Sequence, residues 1–143
     1  MNETEELNRW LTEQVQQHNF TWIYYNFSFY YLSSELVSWS DSRRDCEQRG
    51  ADLLIINNKE EQEFLQKVTA GNKYWIGLSK EADVWKWVDG TTLTLSFWMN
   101  GSLGNYSQFC AVITSSGWTD YSCNMFWRYR WICEKRILKS LII

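Results

Sequence analysis

An α+β fold, with two helices followed by several short strands, is the architecture this sequence predicts. Three observations predict it. Two helix-start signatures, Ser38 with Asp41 and Asn58 with Glu61, stand ahead of charged, periodic runs. Short apolar runs follow, "YWIGL", "WKWV", "CAVI" and "YRWICEK", with turn residues between them. Four cysteines, Cys46, Cys110, Cys123 and Cys133, form an even set without a C-x-x-C pair, which suits two disulfides better than a zinc site. At 143 residues the chain is one domain, able to bury roughly 68–70% of its unfolded surface.

Residues 3–18 read as a helix, because Leu7, Leu11, Val15 and His18 recur at spacings of four, four and three. Residues 1–21 are therefore expected to form a helical leader or stalk remnant, with homo-oligomer formation through residues 3–18 as one use of that stripe. From Trp22 to Leu32 the aromatic "WIYYNFSFYYL" is strand-like, and Asn26 marks a turn. The first capped helix carries Cys46 and stops at Gly50, a left-handed position. "ADLLII" reads as a short buried strand, and the second helix runs from the Asn58 cap to Gly71. Its acidic residues, within 59–63, read as a solvated face. Residues 22–135 contain no internal repeat and no linker, and residues 136–143 form a tail.

Composition narrows the function classes. A net charge of −3 provides no basic footprint for nucleic acid. Aromatic residues make up 17%, including 10 Trp, enough ring surface for a core in which each indole N–H needs a partner. Five N-x-S/T sequons, at Asn2, Asn19, Asn26, Asn100 and Asn105, point to an extracellular or cell-surface setting. "MNETEELNRW" has no signal-peptide pattern, and no apolar run is long enough to span a bilayer. The expectation is a fragment whose membrane anchor lies upstream.

An ordered set of residues now carries a family resemblance: Trp39, Cys46, "GADL" at 50–53, "WIGL" at 75–78, "WKWVDG" at 85–90, Cys110, Trp118, Cys123 and "WICEK" at 131–135. Together they resemble the C-type lectin-like domain, over residues 22–135. The wording is similar to the heads of type II membrane receptors of the asialoglycoprotein-receptor, dendritic-cell lectin and natural-killer groups. Four cysteines allow three connectivities. The resemblance implies Cys46 with Cys133 and Cys110 with Cys123, on a fold of two helices, short antiparallel sheets and a long loop region.

Sugar-binding members of that family hold calcium in the loop before the third family cysteine. In this sequence the stretch from Thr91 to Thr119 contains no Asp, Glu, Lys or Arg. Ser102, Leu103 and Gly104 stand where the family's Glu-Pro-Asn would be, Gln108 and Phe109 replace Glu-Asp, and Thr119 replaces the first Asn ligand. Asp120 is the one remnant of the cage, and the chain has no proline to shape the loop. No cofactor is expected, and calcium enters only in the alternative reading below. The ligand-contact candidates are Ser102, Gly104, Tyr106, Gln108, Phe109, Thr119, Asp120 and Phe126. Tyr106, Phe109, Met125 and Phe126 are the aromatic and apolar side chains expected at the exposed edge. "FWRYR", 126–130, offers an aromatic-cationic patch for a glycan or an acidic protein surface. Trp75, Trp85, Trp87 and Trp118 read as core.

No Ser-His-Asp order, G-x-S-x-G or H-E-x-x-H is present, and His18 lies outside the matched residues. The resemblance therefore implies a non-catalytic extracellular recognition domain that binds a protein or glycoprotein ligand without calcium. A carbohydrate lectin using residual calcium or metal-free aromatic contacts is the alternative, and a secreted hydrolase the third reading.

Overall fold

The computed structural model describes residues 2–16, 22–99 and 108–137. The first helix, α1 (Glu3–Gln16), starts at Asn2, whose Oδ1 accepts from the Glu5 N–H at 2.8 Å. Glu3, Glu5 and Glu6 in its first turn suit the positive end of the helix dipole. Its apolar face turns to the rest of the domain. Leu7 and Leu11 are partly covered, and Trp10 is buried with its indole N–H donating to the Arg49 carbonyl at 2.8 Å. The ring meets Trp22 edge-on at 5.0 Å, while the Trp22 N–H donates to Gln14 Oε1. Of the stripe expected of a leader, Leu7 and Leu11 are thus docked on the rest of the chain, leaving Glu5, Glu6, Asn8, Arg9, Thr12 and Glu13 to solvent, while the Val15 side chain and His18 lie outside the described residues.

Strands β1 (Ile23–Tyr25) and β2 (Ser28–Leu32) form a hairpin. Its two turn residues, Asn26 and Phe27, both have positive φ, 47° and 66°, the hand that matches strand twist. Helix α2 (Trp39–Gln48) is capped by Ser38, whose side chain accepts from the Asp41 N–H, and it terminates at Gly50 with φ 73°. A two-residue strand β3 (Asp52–Leu53) follows. Helix α3 (Lys59–Thr69) is capped by Asn58, whose Oδ1 accepts from the Glu61 N–H at 2.7 Å. Strands β4 (Tyr74–Glu81), β5 (Val84–Trp87), β6 (Gln108–Thr114), β7 (Gly117–Ser122) and β8 (Arg130–Arg136) complete the described chain.

The α+β class holds, with α1 as a helix ahead of the two expected ones. The sheet runs β1-β2-β8-β4-β6-β7, with β3 also on β8 and β5 also on β4. Strand pairs are antiparallel except β4 with β8, a parallel pair whose long intervening chain makes the crossover. Gly77 is the position of closest approach. Its N–H donates to the Leu54 carbonyl at 2.7 Å, and a Cβ there would stand 2.9 Å from that oxygen.

Two apolar clusters fill the interior. One gathers Tyr30, Leu65, Ile76, Trp87, Ile113 and Trp118; the other gathers Trp10, Trp22, Trp75, Trp131 and three of the cysteines. Most of the buried indoles find acceptors. Trp75 donates to the Val37 carbonyl, Trp118 to Gln62 Oε1 and Trp131 to Asp45 Oδ2. Trp85 is half-buried against Trp98 at 4.8 Å.

Both disulfides take the implied pairing, with Cα–Cα separations of 5.4 Å for Cys46–Cys133 and 5.2 Å for Cys110–Cys123. They close loops of very different length, 87 and 13 residues apart in sequence. Replacing Cys46 and Cys133 together by Ser is expected to cost about 2–5 kcal/mol, more than the same change at Cys110 and Cys123. Denaturant unfolding without reductant measures both losses. A larger loss at the short loop would mean that native packing, not loop closure, sets the values.

Candidate functional site

The candidate site is the edge where β6 begins and β7 ends. Two anchors bound residues 100–107. On one side the Met99 N–H donates to the Trp118 carbonyl, and the Trp118 N–H to the Phe97 carbonyl. On the other, Phe109 is in register with Ser122, and Cys110 is bonded to Cys123. Thr119 and Asp120 lie on β7 between these anchors. Gly117 permits the first anchor, because a Cβ there would stand 2.5 Å from the Phe97 carbonyl oxygen.

The structure distributes the expected contact residues unevenly. Ser102, Gly104 and Tyr106 lie outside the described residues, as do Asn19, Asn100 and Asn105. Gln108 opens β6 in register with Glu81. Phe109 is a correction: it is 4% exposed, because β6 is flanked by β4 and β7 and is buried from Phe109 to Thr114. Thr119 and Asp120 are half-buried. Phe126 is 83% and Met125 68% exposed. Asn2 and Asn26 are exposed, so both described sequons present their asparagine to solvent.

A calcium cage would need about six to eight oxygens, several of them anionic. Among the described residues no three His, Cys, Asp or Glu side chains gather as such a cage requires. Residues 91–119 contain no carboxylate, so Asp120 has no anionic neighbour in that stretch. Its Oδ2 is buried and without a hydrogen-bond partner among the described residues. Among the described residues, one such oxygen falls well short of the set the ion needs.

Beyond Asp120 the edge becomes aromatic. Tyr121 lies 5.3 Å from Trp127 and 4.7 Å from Tyr129, and Tyr129 meets Trp75 edge-on at 5.2 Å. Lys73 Nζ donates to the Tyr121 hydroxyl at 2.8 Å. Burial opposes ionisation of Tyr121, but that hydrogen bond and the contact with Tyr129 outweigh it and hold the phenol below its ordinary value. Burial and the Tyr121 hydroxyl push Tyr129 up. Of this group, the aromatic-cationic run was legible in "FWRYR"; Lys73, just before β4, and Tyr121, on β7, are distant in sequence and left no local signal.

A second polar cluster lies on the opposite flank of β8. Glu61 was expected on a solvated face; it is instead buried, because its carboxylate turns back over the start of α3. Its oxygens accept from the Asn57 N–H at 2.9 Å and the Tyr30 hydroxyl at 2.6 Å. Glu134, also buried, accepts from Ser28, the Ile55 N–H and Arg136. With its amide oxygen toward Arg136, Asn57 accepts from both terminal guanidinium nitrogens, at 2.6 and 2.8 Å. The cleft above them holds about 270 Å³, below the range of ordinary ligand pockets. It is a satisfied structural network.

The described chain is a disulfide-clamped α+β head with a loop edge. The lectin C-type domain model matches residues 35–135, and the chain belongs to that family. Its domains are non-enzymatic and bind ligands. Human C-type lectin domain family 2 member B is 38% identical over 82% of this chain and 75% of its own length. Mouse CD209 antigen-like protein A is 40% identical over 80% of this chain and 50% of its own, and mouse asialoglycoprotein receptor 1 is 33% identical over 83% and 45%. The chain thus spans about half the length of these last two relatives. The mouse scavenger receptor C-type lectin carbohydrate-recognition domain superposes with a TM-score of 0.75 at 30% identity, covering 82% of this chain and 96% of that one. The trimeric Kupffer cell C-type lectin receptor Clec4f superposes at 0.76 with 28% identity, covering 95% and 97%.

Burial, reinforced by the Glu61 charge and opposed by Arg136, pushes the Glu134 carboxyl up to about 7. The folded chain then holds this proton more tightly than the unfolded chain does. Its contribution to stability is full below the ordinary carboxylate range and is lost as pH rises through about 7. The melting temperature is expected to rise on acidification from about pH 8 to about pH 6. Glu134→Gln, which removes the charge, should flatten that slope. Scanning calorimetry across the range checks it; an unchanged slope in the variant would assign the dependence to another group.

Proposed function

We propose that this domain is an extracellular recognition head that binds a protein or glycoprotein on a cell surface without calcium. Calcium is the usual cofactor of lectin C-type domains. The observation that carries the proposal is the chemistry of the loop edge. Asp120 is the single carboxylate where a cage would need several, and Thr91 to Thr119 has no charged side chain. Complementarity of the edge, with Ser102, Gly104, Tyr106, Gln108, Thr119, Asp120 and Phe126 as candidate contacts, replaces metal-bridged sugar hydroxyls.

Location at the cell surface rests on the two disulfides, the sequons and the receptor relatives. No described helix is long and apolar enough to cross a membrane. Self-association is a reasonable expectation beside the trimeric Clec4f. With Leu7, Trp10 and Leu11 engaged by the domain, association through residues 3–18 would use the charged outer face of α1 or require its undocking.

One observation favours the second reading, a lectin with residual calcium: the buried, unpartnered Asp120 Oδ2 is where a cation would be welcome. Calorimetric titration of the domain with calcium, beside staining of ligand-bearing cells with and without EGTA, separates the two. The proposal expects no saturable heat and staining indifferent to EGTA. A saturable site abolished by Asp120→Asn, with staining lost in EGTA, would overturn it.

A further inference from the structure

Resting on that reading and naming its partner chemistry, we infer that the turn between β7 and β8 is a docking surface for an acidic segment of a partner protein. Met125, Phe126 and Trp127 are 68%, 83% and 45% exposed, the only run of three large exposed apolar side chains among the described residues. A patch of this kind on a folded domain is costly to leave in water and marks an interaction site.

The turn is held, not loose. Cys123 ties its start to β6, and Asn124 organises its apex, with the Asn124 side chain accepting from the Phe126 N–H at 2.8 Å and the Asn124 carbonyl accepting from the Trp127 N–H at 3.0 Å. Trp127 is then braced through Tyr121 and Tyr129 to the fully buried Trp75. The backbone that carries Phe126 is therefore pre-organised, which limits the entropic cost of binding to its side chain.

Charge selects the partner. Lys73 is drawn onto the Tyr121 and Tyr129 rings, 5.4 and 5.9 Å from their centres. Arg128 is exposed, and Arg130 pairs with Tyr74 beside Lys73. None of these three cations has a carboxylate partner among the described residues, whereas Arg43, Arg44, Arg49 and Arg136 each have one. The nearby acid on β7, Asp120, has its Oδ2 buried. An aromatic centre with a basic rim fits a segment that alternates acidic and apolar side chains. The net charge of −3 disfavours the other claimant, an anionic bilayer, which the whole domain would have to approach.

The test uses the disulfide-bonded chain and a fluorescein-labelled peptide alternating glutamate with leucine, beside its glutamine counterpart. The glutamate peptide should bind, weaken with salt, and lose about tenfold in affinity on either Phe126→Ala or Arg128→Glu. Both side chains are exposed, so unchanged melting temperatures verify the fold. Equal binding of the two peptides, or none, overturns the inference. So does Phe126-dependent binding of phosphatidylserine vesicles without peptide binding, or Phe126-dependent self-association in sedimentation. The outcomes also separate the two proposals. EGTA-indifferent cell staining that survives both substitutions sinks the acidic-segment inference alone, and calcium-dependent staining with intact peptide binding sinks the calcium-independent reading alone.

Discussion

Cys133 is where the long-range constraints of this domain meet. It is in register with Tyr31 on β2 and Leu53 on β3, and its sulfur is bonded to Cys46 on α2. Strand β8 can take that place only when the end of the described chain has returned between elements formed near its start. Closing so long a loop costs entropy before any contact rewards it. The covalent bond removes much of that cost from the unfolded chain. Once β8 is seated, its Trp131 end fixes the parallel contact with β4, and β4 in turn carries β6 and β7. The position of the loop edge is thus inherited from a strand pairing at the other side of the sheet.

Aromatic rings carry that order from core to surface. Trp75 is fully buried, Tyr129 and Tyr121 are half-buried, and Trp127 is 45% exposed, yet each touches the next. Rings suit the task because they cover a large area with few rotatable bonds. A similar device holds α1, where Trp10 is wedged between Trp22, Phe29 and the Arg49 carbonyl. Gly50 leaves the space for it, since a Cβ there would meet the Trp10 ring at 3.0 Å. The glycine that ends α2 is also the seat of the helix that precedes the domain.

Legibility followed the range of the interactions. The Ser38 and Asn58 caps and the Asn26 turn were readable because each is decided within four residues. The disulfide pairing was not decided by geometry in the sequence; the family resemblance supplied it. Periodicity marked the inner face of α1 through Leu7 and Leu11, but it could not say what that face covers, and it passed over Trp10. Phe109 was misplaced because "SQFC" reads as the end of a loop, while its burial depends on strands flanking β6 on both sides. Glu61 and Glu134 were missed for a related reason. Each is a local surface residue by pattern, and they are brought together only by tertiary packing around β2, where Tyr30 donates to Glu61 and Ser28 to Glu134. A charged residue inside the buried run from Trp131 to Glu134 was the one available hint.

The order of the edge bears on what it needs in order to bind. A metal ion in such a site would serve two ends, supplying charge and tying loops together. Here the second end is met by covalent and packed structure at the margins of residues 100–107. The Cys110–Cys123 bond, the β6–β7 ladder and the Phe97–Trp118–Met99 hydrogen bonds fix both margins without an ion. Positive charge along this edge is carried by Lys73, Arg128 and Arg130 around the Trp127 stack, with Asp120 the single carboxylate on β7. A surface arranged in that way favours anionic groups directly, where a calcium-bearing surface favours them through the ion. On the proposed reading, guanidinium and ammonium groups at this edge would bind acidic side chains directly, a different chemistry from the metal-bridged sugar hydroxyls of a calcium-bearing edge.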